Sequence, residues 1–278
     1  MKKLISAATA AALSLCAFCS DFSIGFKPEG AVSSYTKTVY TVTSKFGDYF
    51  RTVFEKETHT FANGLETDVC VYSPKDELLR KHTNTYDSES RWTAFEYADF
   101  STGVSLRTEF EYAPDETLRS ETVTDANSGA LNSKSIFKHE NTKCTENLYD
   151  ADGKLVTRII SSQNESGKTA EEIQYNGDGT LDSSRKYAYT EDGKNAIVEQ
   201  YGADGTCTQK IVFRYDTASG FLTEIQVYNQ DNKLSQRRIY KNDAFGNPVR
   251  ISCYDVSEKF GTTVNELTRI EDFSYVLN

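Results

Sequence analysis

One phrase returns along this chain and limits what the chain can become. "YDADGKL" at Tyr149 is followed by "YNGDGTL" at Tyr175, "YTEDGKN" at Tyr189, "YGADGTC" at Tyr201 and "YNQDNKL" at Tyr228. We marked the aromatic residue before each turn from Phe61 to Tyr254, with Thr124, Lys138 and Ser162 standing in where the ring is lost. The intervals run from 11 to 15 residues and cluster around 13. Self-similarity at a fixed short period is the mark of a repeat architecture. Thirteen residues suit one strand and one turn.

The turn chemistry agrees. Gly153, Gly179, Gly193 and Gly205 each follow Asp. Glycine enters positive φ without a Cβ penalty, and Asp bonds its own local backbone. "DADG", "NGDG", "TEDG" and "GADG" are therefore predicted hairpin loops. The remaining eight or so residues form strands of roughly 25 Å, at ~3.3 Å per residue. Alternation supports strands: Tyr215, Phe213, Ile211 and Gln209 fall on one face, and Arg214, Val212, Lys210 and Thr208 on the other. The Tyr face is expected to be the more apolar, although Glu171, Glu199, Glu224 and Arg238 also fall on it. In the strand ending at Tyr228 the other face, with Val227 and Ile225, is the more apolar.

Two strands, Val32–Thr43 and Tyr49–Phe61, are predicted ahead of the repeats, and one, Thr263–Leu277, after them. The expected fold is all-β: a single domain over 20–278 made of about seventeen antiparallel strands in meander order. A sheet beyond ~10 strands rarely stays flat and open, and strand twist supplies the curl. Either an open trough or a barrel-like wall satisfies this.

The first residues read "MKKLISAATAAALSLCAFCS". Lys2 and Lys3 precede an apolar run from Leu4 to Phe18, the pattern of a secretory signal over 1–19. Export to the periplasm or cell surface follows. Two endings stay open: simple cleavage after Cys19, or lipidation of Cys16 or Cys19, which would be the chain's only link to a membrane. Removing 1–19 takes two Lys from a chain of net charge −10 and leaves −12. That argues against nucleic acid and anionic surfaces, which need a basic footprint. Cys70, Cys144, Cys207 and Cys253 fall on strands that are not neighbours in a meander. Despite export they are expected to be unpaired and to act as small, mostly buried packing residues.

The repeat also resembles a known family. "YDADGKL", "YNGDGTL" and "YNQDNKL" are similar to the Y-D-x-x-G-x-L core of RHS/YD repeats. Tyr149, Asp150, Gly153 and Leu155 match it in full, and Tyr215-Asp216 with Gly220 and Leu222 matches with one inserted residue. The likeness runs from about Tyr72 to Asp255. It implies a winding β-sheet and no enzymatic activity.

Catalytic patterns are missing. His59, His82 and His139 are isolated in sequence, and no H-E-x-x-H, Walker loop or G-x-S-x-G occurs. Asp150-Ala151-Asp152-Gly153 opens like a calcium loop, but position twelve is Ser161 where that loop needs Glu. No cofactor or metal is expected. The Tyr ladder suits cross-strand packing, and Trp92 is the only tryptophan, unlike Trp-rich cell-wall-binding repeats. The expected function is a non-enzymatic binding or scaffold protein whose partner is a protein or glycan of the cell envelope. An outer-membrane-associated barrel and a secreted hydrolase with a carboxylate pair are the alternatives.

Overall fold

The structure is a computed structural model and describes residues 27–45, 48–259 and 261–278. The predicted signal segment, with Cys16 and Cys19, lies outside the described residues. Eighteen strands follow one another without a helix among the described residues. They are β1 (Val32–Lys45), β2 (Asp48–Ala62), β3 (Leu65–Tyr72), β4 (Leu78–Tyr86), β5 (Trp92–Asp99), β6 (Val104–Tyr112), β7 (Leu118–Asp125), β8 (Leu131–Glu140) and β9 (Lys143–Asp150). The second half comprises β10 (Leu155–Gln163), β11 (Thr169–Asn176), β12 (Leu181–Tyr189), β13 (Asn195–Gly202), β14 (Cys207–Tyr215), β15 (Leu222–Asn229), β16 (Leu234–Asn242), β17 (Pro248–Lys259) and β18 (Thr262–Leu277). The total is one more than the count made from the turns. Each of the sixteen marked positions falls in a different strand, β2 to β17, and β1 and β18 add two.

Every strand pairs antiparallel with its neighbours in sequence, and β1 pairs with both β2 and β18. Tyr35 thus stands between His59 on one side and Tyr275 on the other. The sheet closes into a barrel, and the open trough is not realised. Closure removes the unpaired edges that a meander of this length would expose.

Each hairpin is built alike. Asp150 Oδ1 accepts the backbone N–H groups of Asp152 (3.1 Å) and Lys154 (2.9 Å), so the carboxylate caps its own loop. Asn164, Asn229 and Asp243 cap theirs in the same way. The turn glycines Gly153, Gly179, Gly193 and Gly205 have φ of 77°, 86°, 80° and 78°. Beside most turns the register shifts by one residue, as at Tyr175↔Leu181, Tyr201↔Cys207 and Tyr215↔Leu222. Such bulges increase local twist, and their repetition helps to bend the sheet round.

The expectation of one Tyr face needs correction. Tyr149, Tyr175, Tyr228 and Tyr254 end odd strands and point outward, opposite Lys134, Arg158, Lys210 and Arg237. Tyrosines that end even strands point inward. There Tyr86, Tyr189 and Tyr215 each donate from the hydroxyl to a backbone carbonyl twenty residues earlier, at Glu66 (2.8 Å), Thr169 (2.6 Å) and Asn195 (2.9 Å). Lys168 and Lys194 lie over the Tyr189 and Tyr215 rings at 5.3 and 5.4 Å and donate to the carbonyls of Gly193 and Gly220. The spacing from Tyr189 to Tyr215, like that from Lys168 to Lys194, is 26 residues. The structural unit is therefore a hairpin of two unlike strands, each ending near one of the two rims. This also explains the acids on the supposed Tyr face: Glu171, Glu199 and Glu224 share the outward face with the tyrosines of odd strands.

Ion pairs line the outer wall. Arg237 meets Glu224 at 2.6 Å, Arg250 meets Asp272 at 2.6 Å, Lys81 meets Asp68 at 3.1 Å, and Arg107 meets Glu96 at 2.5 Å and Glu109 at 3.0 Å. The inner wall carries the most deeply buried side chains, among them Ile225, Val39, Val227 and Thr108. Cys70, Cys144, Cys207 and Cys253 form no disulfide among the described residues. They are half-buried rather than buried, because they occupy the wall of a wide barrel and not a filled core. Cys70 pairs with Thr58 and Lys81 on the outward face, whereas Cys253 pairs with Arg238 and Arg269 on the inward face. β3 and β17 remain separated by β18, β1 and β2.

Candidate functional site

The inner wall is where the repeat departs from itself. In every odd strand from β3 to β17 except β5, whose Tyr97 itself points inward, the residue three places before the outward marker points inward. In β3, β13, β15 and β17 it is Val69, Val198, Ile225 and Ile251. In β7, β9 and β11 it is Glu121, Glu146 and Glu172. These three carboxyls are buried, with Glu121 only 3% exposed. Strand pairing places them on one face in a staggered line, each two residues from the position directly across. Glu121 pairs with Ser135, whose hydroxyl donates to Glu146 Oε1 at 2.7 Å. Ser161 pairs with Glu172, which accepts the Tyr187 hydroxyl at 2.5 Å. Glu121 makes no hydrogen bond or ion pair among the described residues.

Burial disfavours the charged form of a carboxyl. Burial, helped by the charge of Glu146, pushes Glu121 up to about 8. Burial also raises Glu146, with Glu172 adding to the shift and the Ser135 bond opposing it. Glu172 is raised by burial against the opposing effects of Tyr187 and Arg185.

The inward acids of β2 and β18 have cations. Lys37 meets Glu57 at 2.6 Å, Arg80 meets Glu55 at 2.9 Å, and Arg269 meets Glu271 at 2.5 Å. His59 is held between Glu66, 2.7 Å from Nδ1, and Glu57, 3.4 Å from Nε2, and stacks on Tyr35 at 4.2 Å. Burial alone would raise Glu57, but His59 and Lys37 outweigh it and bring the group down to about 2. His59 itself is raised, because its two glutamates outweigh burial. Between Arg80 on β4 and Arg185 on β12, the inward registers hold one Lys or Arg. This is Arg119, exposed in the bulge at the start of β7 and making no ion pair. Glu121 and Glu146 have no cation across from them, whereas Glu172 stands directly across from Arg185, whose charge opposes its shift.

The other histidines take up packing or backbone contacts. His82 packs against Tyr97 (4.9 Å) and Phe95 (5.3 Å), and burial, aided by Arg80, lowers it. The His139 Nε2 lies 2.9 Å from the Leu118 carbonyl. Sequence reasoning placed the turn glycines and the histidines but missed the glutamate line. Its signal was present: Glu146 and Glu172 stand three residues before Tyr149 and Tyr175, where the later repeats carry Val198, Ile225 and Ile251.

No family model matches this chain, and no curated protein matches it. Among solved structures it is similar to a porin-like protein from Bacteroides uniformis, with 12% identity over 90% of this chain and 99% of that one and a TM-score of 0.31. A porin-like protein from Bacteroides vulgatus gives 10% identity over 88% and 98%, with a TM-score of 0.37. A DUF1329 family protein from Desulfovibrio piger gives 10% over 87% and 84%, with a TM-score of 0.26. At these scores the likenesses assign no function to this chain.

Proposed function

We propose that this chain is an exported protein of the bacterial envelope, periplasmic or at the cell surface, that binds a partner and catalyses nothing. The observation that carries this is the contrast between the two walls. Outside, cross-strand ion pairs such as Arg237–Glu224 and Arg250–Asp272 make a surface suited to water. Inside, the buried carboxyls of Glu121 and Glu146 form no ion pair among the described residues. At this strand number a barrel encloses a lumen rather than a filled core, and Gln200, Tyr187 and Phe213 on its wall are only half-buried. The best-bonded imidazole supports a non-enzymatic role, because both ring nitrogens of His59 are engaged by carboxylates and neither is free to act as a base. The likeness to RHS/YD repeats fits a protein whose repeats build a wall. The partner class is a protein or glycan of the envelope, not nucleic acid.

Closure into eighteen strands is the observation that favours a membrane-embedded barrel instead. Against it, a lipid-facing wall must be consistently apolar, whereas the outward faces carry Arg107, Lys134, Lys186, Lys210 and Arg237 at mid-strand positions.

Fractionation with metabolic lipid labelling tests the proposal. The chain is expected in the envelope or periplasmic fraction, shortened near Cys19 or labelled on Cys16 or Cys19. Removing both cysteines should leave it extractable by alkaline carbonate. A cytoplasmic chain still beginning at Met1 would sink export. A cysteine-free chain that resists carbonate and yields only to detergent would favour the embedded barrel.

A further inference from the structure

We infer that the inner wall of β7–β9 is a binding subsite for an organic polycation, an alkylammonium chain that lays its charges along Glu121 and Glu146. This deepens the binding function proposed above and rests on it. Three observations carry it. First, the repeat itself supplies the control: the same inward position is Val or Ile in β3, β13, β15 and β17, and is buried in the last two, so the wall does not need an acid there. Second, the inward acids of β2 and β18 are matched by Lys37, Arg80, His59 and Arg269, whereas Glu121 and Glu146 form no ion pair among the described residues and only Glu172, at the end of the line, faces a cation, Arg185. Third, Glu121 is almost wholly buried, faces the interior and is bonded to nothing. An unpaired buried carboxylate is costly, and pairing with a cation removes much of the cost.

The spacing selects the class of cation. The glutamates sit on alternate strands with a two-residue offset, so their backbones are separated by roughly 12 Å. Among the described residues no three acidic, histidine or cysteine groups converge to hold a metal ion. Single carboxylates at that interval suit amines distributed along a flexible chain. Free polyamines and lysine side chains of an extended peptide share this chemistry.

Calorimetry on the full chain tests the subsite, with spermine and a short oligolysine as the two probes and magnesium as the control ion. One saturable site is expected for the amines. Its affinity should rise about tenfold per pH unit from 6 to 8 and then level, because binding must release the proton that burial keeps on Glu121. Tighter binding of spermine identifies a free polyamine as the source, and tighter binding of oligolysine identifies a peptide. Glu121→Val with Glu146→Val copies what β13 already carries and should abolish the site while the chain still melts cooperatively. His139→Gln, on the same inward face, should leave the pH dependence intact. Adsorption to surface acids would instead be flat across this pH range and would survive the double variant. Either of those results, or binding equalled by magnesium, overturns the subsite. None of them bears on export, which the fractionation decides separately.

Discussion

The sector β13–β17 and the sector β7–β11 share a backbone and differ in what they bury. In the first, Ile225 and Val227 are among the least exposed side chains of the molecule. In the second, the same depth is occupied by Glu121, Glu146 and Glu172, with Ser133, Ser135 and Ser161 buried around them. Yet both sectors have eight- to twelve-residue strands, capped turns and hairpin bulges. The comparison teaches that the wall is specified by its turns, its backbone ladder and its rim tyrosines. The composition of its deep positions is free to vary, and in one sector it varies toward groups that are expensive to bury.

The largest expected effect lies on the aliphatic side. Ile225→Ala should cost about 4 kcal/mol, because a side chain 1% exposed leaves a cavity. Urea titration measures it. A loss under 1 kcal/mol would mean that the aliphatic sector is no more of a core than the acidic one.

On the acidic side the sign reverses. The folded chain holds the Glu121 proton up to about 8, against an ordinary value of 4.5. A folded-state value above the unfolded one stabilises at low pH. That stabilisation is complete below about 4.5, erodes as the pH rises to about 8, and leaves a constant penalty above it. Glu121→Gln should therefore gain on the order of 3 kcal/mol at pH 9 relative to wild type, and almost nothing at pH 4. Equal denaturation midpoints for the two proteins at pH 9 would show that the carboxylate is already compensated there.

Turns are shared by both sectors and should respond alike. Gly179→Val, at φ 86° with open space around the missing Cβ, should cost ~1–2 kcal/mol from backbone strain alone. Gly205→Val, at φ 78° and also in open space, should match it. A clear inequality between the two melting shifts would show that the sectors differ in their turns as well as in their deep positions.

The smallest effect separates the two kinds of tyrosine. Tyr189→Phe removes the bond to the Thr169 carbonyl and should cost about 1 kcal/mol. Tyr175 points outward and makes no such bond, so Tyr175→Phe should stay within ~0.5 kcal/mol, as surface changes do. Equal costs would remove the distinction between inward and outward rims.

Much of this was legible in the chain. The thirteen-residue recurrence and the Asp-Gly turns specify strands, hairpins and meander order, because turn chemistry and period-two alternation are local. The faces were not legible. Whether Tyr175 and Tyr189 point the same way depends on the bulges beside each turn, and a one-residue shift moves a side chain to the other side of the sheet. The glutamate line was hidden for the same reason, since Glu146 and Glu172 read as ordinary surface acids until parity put them inside.

Sequence alone, then, determined the strands, the turns and the absence of familiar catalytic motifs, since each depends on residues within a few positions of one another. Closure was decided only by the tertiary structure. β1 and β18 meet across more than two hundred residues, and nothing local distinguishes two edges that pair from two that stay apart. The buried carboxyls follow from that same closure: joining the edges turned one face of the sheet away from bulk water, and with it the three glutamates that the outer wall would have left solvated.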